Sequence, residues 1–367
     1  MYQLTNAQRR CFALAEAQKN WTLVRLKASR YDDYETYAYL DGDTIKKCIL
    51  VSDVIYVEME YNEALSADHM RLLPKTDRGK PVLLSSANLL KRANVGMCLS
   101  YARGHIALYS ANTARNYFTT DYDRLHVDAL ADFQAWVATW CRETTANDVA
   151  DINAFLAANR RHVKYKEGDV FRFKINRRLY GYGRILVDYP QMRRKKEKFW
   201  DILMGTALVC SVYHIVTEDP HVSVEELRTL PSLPSAFVAD NRIYYGEDEI
   251  IGHIPIGGNE DYPIMYGASI NAREWDKKIV NLQIGKNFYS RGDVSPIFGC
   301  GDCRHNGVAF SLNVDLPVLL RCIEAHSNAP YWASDRYYVQ TDLRNPIYAE
   351  KLALIRRQFG LPADALN

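Results

Sequence analysis

At 367 residues, with 48% hydrophobic and 25% charged side chains, the chain exceeds one ordinary domain and is too apolar to be disordered, so two domains with separate cores are expected. A net charge of +2 gives no argument for nucleic acid or membrane from bulk charge. Eight cysteines, scattered without regular dense spacing, exclude a secreted disulfide scaffold and point to reduced thiols.

The first twenty residues contain no apolar core followed by a small-residue cleavage site, so a cytoplasmic location is expected. Thr5 or Asn6 is placed to cap a first helix running through Lys19, with Phe12 and Leu14 near its buried side. Strands then dominate. Alternation of apolar and polar residues predicts strands over Trp21 to Leu26, Tyr34 to Leu40, Thr44 to Val51 and Val54 to Met59, with Asp41-Gly42 as a hairpin signal. Further strands are predicted over Val82 to Leu84, Gly96 to Tyr101 and His105 to Tyr109, separated by turns at Arg78-Gly79-Lys80 and Arg103-Gly104. The 25 tyrosines suit sheet faces, where the ring packs and the hydroxyl reaches water.

At Leu125 to Arg142 the period changes to that of a helix, through Leu130, Phe133, Trp136, Val137 and Trp140, and a second helix is predicted from Asn147 to Asn159. The pair either closes the first domain or braces the second. The fold class that follows is α+β: a β-rich N-terminal domain over 1–122, a helical connector over 123–162, and a second β-rich mixed domain over 163–367. In that second domain Val318 to His326 and Ala349 to Phe359 read as helices, the last one stopped by Gly360 and Pro362. The longest uncharged stretch, Ile202 to Thr217, is too short and too polar to cross a bilayer, so no membrane partner is expected.

The densest information lies in Val163 to Leu186. Phe171, Phe173 and Ile175 alternate with Arg172 and Lys174, which predicts a strand with its apolar side inward and its cations outward. A polar connection at Asn176 to Arg178 leads into Tyr180-Gly181-Tyr182-Gly183-Arg184, a second strand whose glycines allow close approach of a neighbour or a bulge. This opening, Gly168-Asp169-Val170-Phe171 followed by Tyr180 to Leu186, resembles the immunity protein 26 family of bacterial polymorphic toxin systems. A second block agrees with it in the right order: Ile250-Ile251-Gly252-His253-Ile254-Pro255, then Asp261-Tyr262-Pro263. The resemblance covers about the middle third of the chain. It implies a non-enzymatic protein that binds a cognate toxin encoded nearby and blocks it by occlusion.

Charge is unevenly spread. From Arg160 to Trp200 there are 14 Lys and Arg against Glu167, Asp169, Asp188 and Glu197, a formal +10 that leaves −8 for the rest of the chain. Such asymmetry steers an acidic partner, or else neutralises the acidic remainder within the fold. The basic candidates for partner binding are Arg172, Lys174, Arg177, Arg178, Arg193, Arg194, Lys195, Lys196 and Lys198. Phosphate binding by Arg193 to Lys198, with stacking on Phe199 and Trp200, is the nucleic-acid alternative; Phe199 and Trp200 lead straight into an apolar segment, which favours a buried strand or helix start.

Other chemistry is thinly supported. Cys300, Cys303 and His305 form a CxxC group with a nearby imidazole, three of the four ligands a structural zinc prefers, with Cys210, Cys322 or His326 as candidates for a fourth. The plainer reading is a Gly-rich turn with two reduced thiols, and no metal or other cofactor is expected. No nucleophile elbow, P-loop or dinucleotide fingerprint occurs, and the acidic run Asp32, Asp33, Glu35, Asp41, Asp43 lacks the calcium-loop spacing.

Overall fold

The computed structural model describes residues 2–28, 31–200, 207–268, 279–298 and 308–362. The chain divides into two compact units, 1–161 and 162–367.

In the first unit the N-terminal helix α1 (Asn6–Cys11) begins as the sequence predicts. Thr5 Oγ1 accepts from the Gln8 backbone N–H at 3.2 Å, and Gln8 Oε1 accepts from the Thr5 N–H at 2.9 Å, a complete capping box. It does not run to Lys19. Ala13 adopts φ of 51°, Leu14 N–H turns back to the Arg9 carbonyl, and the Asn6 amide holds both backbone groups of Ala17, at 2.9 and 3.0 Å. A side chain at the helix start therefore competes for the segment that would have extended it.

The strands are β1 (Thr22–Arg25), β2 (Glu35–Asp41), β3 (Thr44–Val51), β4 (Ile55–Ala64), the short pair β5 (Arg71–Leu72) and β6 (Val82–Leu83), then, after helix α2 (Ser86–Leu89), β7 (Val95–Ala102), β8 (His105–Ser110) and β9 (Arg115–Thr119). Among the described residues they form an antiparallel seven-stranded sheet in the order β1-β2-β3-β4-β7-β8-β9, with β5 and β6 paired apart from it. Between β7 and β8, Arg103 and Gly104 both have positive φ, 48° and 87°, and Ala102 pairs with His105, the two-residue turn whose twist suits a hairpin. Strand β9 and helix α2 were not legible in the sequence; both are short.

Helices α3 (Leu130–Glu143) and α4 (Ala146–Ala157) put Phe133, Val137, Trp140 and Ile152 into one core with Tyr56, Leu99, Tyr101 and Ile106 of the sheet. Phe133 stacks on Tyr101 at 4.9 Å and 9°, and Trp140 Nε1 donates to the Cys11 carbonyl at 3.2 Å. The opposite sheet face carries a second core of Ala38, Leu40, Cys48, Leu50, Met59 and Cys98, covered by Leu72 and Leu89. With both faces covered, the strict alternation expected of β3 gives way to a nearly continuous buried run.

Within the helix-side core lies a group of charges. Glu58 is fully buried and accepts from Arg9 Nε on Oε1 at 2.7 Å and from the Tyr56 hydroxyl on Oε2 at 2.6 Å, while Lys47 Nζ, also fully buried, lies 2.9 Å from Oε1 without hydrogen-bond geometry. Burial alone would raise the Glu58 carboxyl, but Lys47 and Arg9 together hold it below the ordinary glutamate value. In Glu60, 3.8 Å from Lys47, burial wins and the carboxyl is raised. Because the folded value of Glu58 is depressed, its stabilisation is present above the unfolded value and lost as pH falls through the folded one. Glu58→Gln is expected to cost about 3–5 kcal/mol at pH 7, by leaving two buried cations underpaired, and to flatten the acid limb below about pH 4.5; denaturant melts between pH 3 and 7 would measure both effects.

In the second unit the elements are β10 (Asp169–Lys174), β11 (Tyr180–Asp188), α5 (Tyr189–Arg194), β12 (Ala207–Val212), α6 (Val224–Arg228), β13 (Ala236–Ala239), α7 (Asn241–Tyr244), β14 (Glu249–His253), β15 (Ile264–Ala268), β16 (Val280–Ile284), β17 (Asn287–Arg291) and β18 (Val308–Ala309). They are followed by α8 (Leu316–Glu324), α9 (Ala329–Trp332), α10 (Tyr337–Gln340) and α11 (Ala349–Gln358). Among the described residues there is a six-stranded sheet, β14-β10-β11-β12-β13-β18, and a three-stranded one, β15-β16-β17. The whole chain is thus mixed α+β and rich in strand.

The predicted hairpin is present, and its glycines have a specific use. Phe171 pairs with Gly183 and Phe173 with Gly181, and each phenyl ring lies across the glycine opposite. A Cβ at Gly181 would sit 2.9 Å from Phe173 Cε1; one at Gly183 would sit 2.5 Å from Phe171 Cζ and 2.7 Å from the Ser211 carbonyl. Phe171, Phe173 and Ile175 are buried, and Tyr182 faces a second core with Val170, Tyr213 and Leu227. At the C-terminal side, Ile355 of α11 and Leu343 cover Ile264, Tyr266 and Leu282, and Arg344 is buried between Asp261 (2.7 Å), Asp342 (2.6 Å) and the Ser235 carbonyl (2.6 Å).

Phe173→Ala should destabilise by about 3–5 kcal/mol. Gly183→Ala should cost more than Gly181→Ala, since a flexible ring can yield where the Ser211 backbone cannot; paired thermal melts of the two alanine variants test the order.

Candidate functional site

The two sequence blocks, Gly168 to Leu186 and Ile250 to Pro263, meet at one end of the six-stranded sheet. Asp169 pairs with His253 across β10 and β14, the Gly168 N–H donates to the Ile185 carbonyl at 2.7 Å, and the Ile254 N–H donates to the Gly168 carbonyl at 2.8 Å. Gly168 has φ of +86°, and a Cβ there would lie 2.6 Å from His253 Cε1 and 2.7 Å from the Ile254 carbonyl oxygen. Only glycine lets the imidazole lie this close to the backbone. Asp169, 7% exposed, accepts from the Lys166 N–H on Oδ2 at 2.9 Å and from His253 Nδ1 on Oδ1 at 3.0 Å. The His253 side chain is 39% exposed, and among the described residues its Nε2 has no hydrogen-bond partner.

The same sheet end carries the exposed cations. Asp188, at the end of β11, caps α5 by accepting from the Gln191 N–H at 2.8 Å, and its own N–H donates to Glu167 Oε1, whose other oxygen pairs with Lys286. Asp188 is almost wholly buried; its second oxygen makes no hydrogen bond and has Arg194 at 3.9 Å, so burial outweighs these partners and raises its carboxyl. Arg193, Arg194, Lys195, Lys196, Glu197 and Lys198 are all exposed. This run is the last turn of α5 and its termination, with Lys196 in the left-handed region at φ of 58°. An L-residue pays about 1–2 kcal/mol for that conformation, so the backbone here would be served better by glycine than by a cation.

Aromatic rings support the cluster from below. Arg193 lies over Phe199 at 5.9 Å and Lys198 over Phe288 at 5.2 Å, which fixes their stems while the charges remain in water. Phe199 stacks on Tyr189, Trp200 is buried, and the Trp200 N–H donates to Gln283 Oε1 at 2.6 Å. The two rings are therefore packing elements, as their apolar continuation predicts.

The remaining basic candidates lie elsewhere. Arg172 is on the outward side of β10 but is only 20% exposed: it donates to the Pro220 carbonyl and to Glu249 and covers the Tyr180 ring at 5.2 Å. Lys174 approaches the same ring at 6.0 Å. Arg177 and Arg178 sit on the β10–β11 turn, where Asn176 Oδ1 accepts from the N–H groups of Arg178 and Leu179. Five residues of strand, about 17 Å, separate this turn from Asp169. The basic candidates thus fall into two separate groups, of which Arg193 to Lys198 is the more exposed.

Cys300, Cys303 and His305 lie outside the described residues. Cys210 and Cys322 are buried, on β12 and α8, and among the described residues no three His, Cys, Asp or Glu side chains are grouped to hold a metal ion. Asp32, Asp33 and Glu35 border a surface groove of about 630 Å³ in the first unit, beside Tyr2 and Arg25. Among the described residues no helix is long and apolar enough to cross a membrane.

Residues 166–276 match the family model of immunity protein 26. The match contains both sequence blocks and the sheet end they build, and it implies an immunity protein of toxin systems. No curated protein and no solved structure matches the chain. Sequence reasoning reached Arg193 to Lys198 and the His253 block separately; what it missed is that Asp169 and Gly168 join them.

Arg172→Ala should lower stability by about 1.5–3 kcal/mol, through loss of two charge-assisted hydrogen bonds. Lys174→Ala, which removes a longer ring contact, should cost less; chemical denaturation of the two variants side by side gives the comparison.

Proposed function

We propose that this protein is an immunity protein that binds a cognate toxin and neutralises it by occlusion, without turnover of its own. The observation that carries the reading is the match over residues 166–276 together with the exposed cations that this region gathers at one sheet end. Occlusion needs complementary shape and charge. Cations on a short, capped helix end, stabilised by underlying rings, form a rigid positive surface that raises the encounter rate with an acidic patch. The strained Lys196 fits this reading, since this chain presents a charge where its backbone favours glycine.

The partner is a toxin domain encoded beside this gene. Co-expression should protect cells from that toxin, and the purified proteins should form a stable complex. Lys195→Glu with Lys196→Glu should slow association by about tenfold or more at low salt and reduce its salt dependence, with little change in melting temperature. Unchanged association kinetics would place the interface elsewhere on the molecule. Failure of the intact protein to bind or protect would remove the immunity reading.

A further inference from the structure

The geometry points to His253 as an anchor of the partner interface, resting on the partner-binding reading above: its Nε2 accepts a hydrogen bond from a donor on the toxin, and Asp169 is the positioning residue that makes it an acceptor. Three observations support this. The Asp169 carboxylate can only accept, so the His253 nitrogen at 3.0 Å carries the proton, and whenever the ring is neutral its lone pair is presented at Nε2. The ring is held in place by the carboxylate and by close packing on Gly168, so little side-chain entropy is lost when a partner binds. Nε2 belongs to a side chain 39% exposed, at the sheet end where β11, two strands away across β10, leads into α5 and its cations. An oriented group beside exposed charges has the parts of an interface anchor and its rim.

The Lys166 N–H makes the role of Asp169 testable. It donates to Asp169 Oδ2, so an asparagine at 169 has to turn its carbonyl oxygen to that N–H and its amide nitrogen to His253. The asparagine then donates to Nδ1, the ring proton moves to Nε2, and the surface nitrogen changes from acceptor to donor with almost no change of shape.

The experiment uses the full chain labelled with 15N-histidine, with His253→Phe assigning the ring signals, and the toxin domain encoded beside the gene as the probe. The wild-type ring should show a protonated Nδ1 and a free Nε2, and Asp169→Asn should reverse them. Both Asp169→Asn and His253→Phe should weaken toxin binding roughly 10- to 100-fold in protein that circular dichroism shows to be folded at the assay temperature. A wild-type ring that is protonated at Nε2 overturns the inference. So does a reversed ring in Asp169→Asn with affinity within about twofold of wild type, or His253→Phe binding as wild type does. In those cases the wild-type complex still forms and the immunity reading stands. Absence of any wild-type complex instead removes that reading, and the anchor with it.

Discussion

The second unit depends on two phenyl rings lying across two glycines. Phe171 over Gly183 and Phe173 over Gly181 put large apolar groups where a side chain on the facing strand would ordinarily stand, and the space is filled without a void. Each ring contributes the burial of a large side chain and also covers backbone that glycine leaves bare. Because side chains alternate with period two, the pairing admits one register: a slip by one residue would drive Phe171 or Phe173 against Tyr182. Register in turn brings Gly168 and Asp169, just before the first phenylalanine, level with the end of β11, from which Asp188 starts α5. The site's two halves are placed by the same interdigitation.

The two units handle buried charge alike. In the first, Glu58 satisfies Arg9 and Lys47 inside an apolar core; in the second, Asp261 and Asp342 satisfy Arg344. Each group joins segments far apart in the chain, so each acts as a lock on tertiary structure: losing one member leaves the others desolvated and unpaired. Asp261 belongs to the second block shared with the immunity family, and its contacts with Arg344 and the Ser235 N–H give that block a structural reason to exist. His253, from the same block, has one nitrogen committed to the fold and the other facing outward.

Cations divide by the same criterion. Arg172 is drawn into the fold by Glu249 and the Pro220 carbonyl, whereas Lys195 and Lys196 make few demands on it. Charge that the fold does not use is charge available to a partner. Of the two readings that net charge alone left open, neutralisation within the fold is what Arg172 does; steering is the proposal made for the cations that the fold does not use.

The sequence by itself determined the local elements, because periodicity, caps and turns are properties of neighbours. The helix cap at Thr5 or Asn6, the Arg103-Gly104 turn, the extent of β3 and the inward set Phe171, Phe173, Ile175 could be read from adjacent residues. So could the family of the middle region, through two short blocks. Tertiary structure alone decided what depends on partners distant in the chain. Asn6 reaches Ala17 and ends the first helix; the two central helices share a core with the first sheet; Lys47 and Glu58, which look like surface residues of an alternating strand, are enclosed because a second layer covers that face. Asp169 and His253 are 84 residues apart, and nothing local in either marks it as the other's partner. Their meeting follows from the antiparallel pairing of β10 with β14, a long-range contact that closes a large loop and that no window of sequence contains.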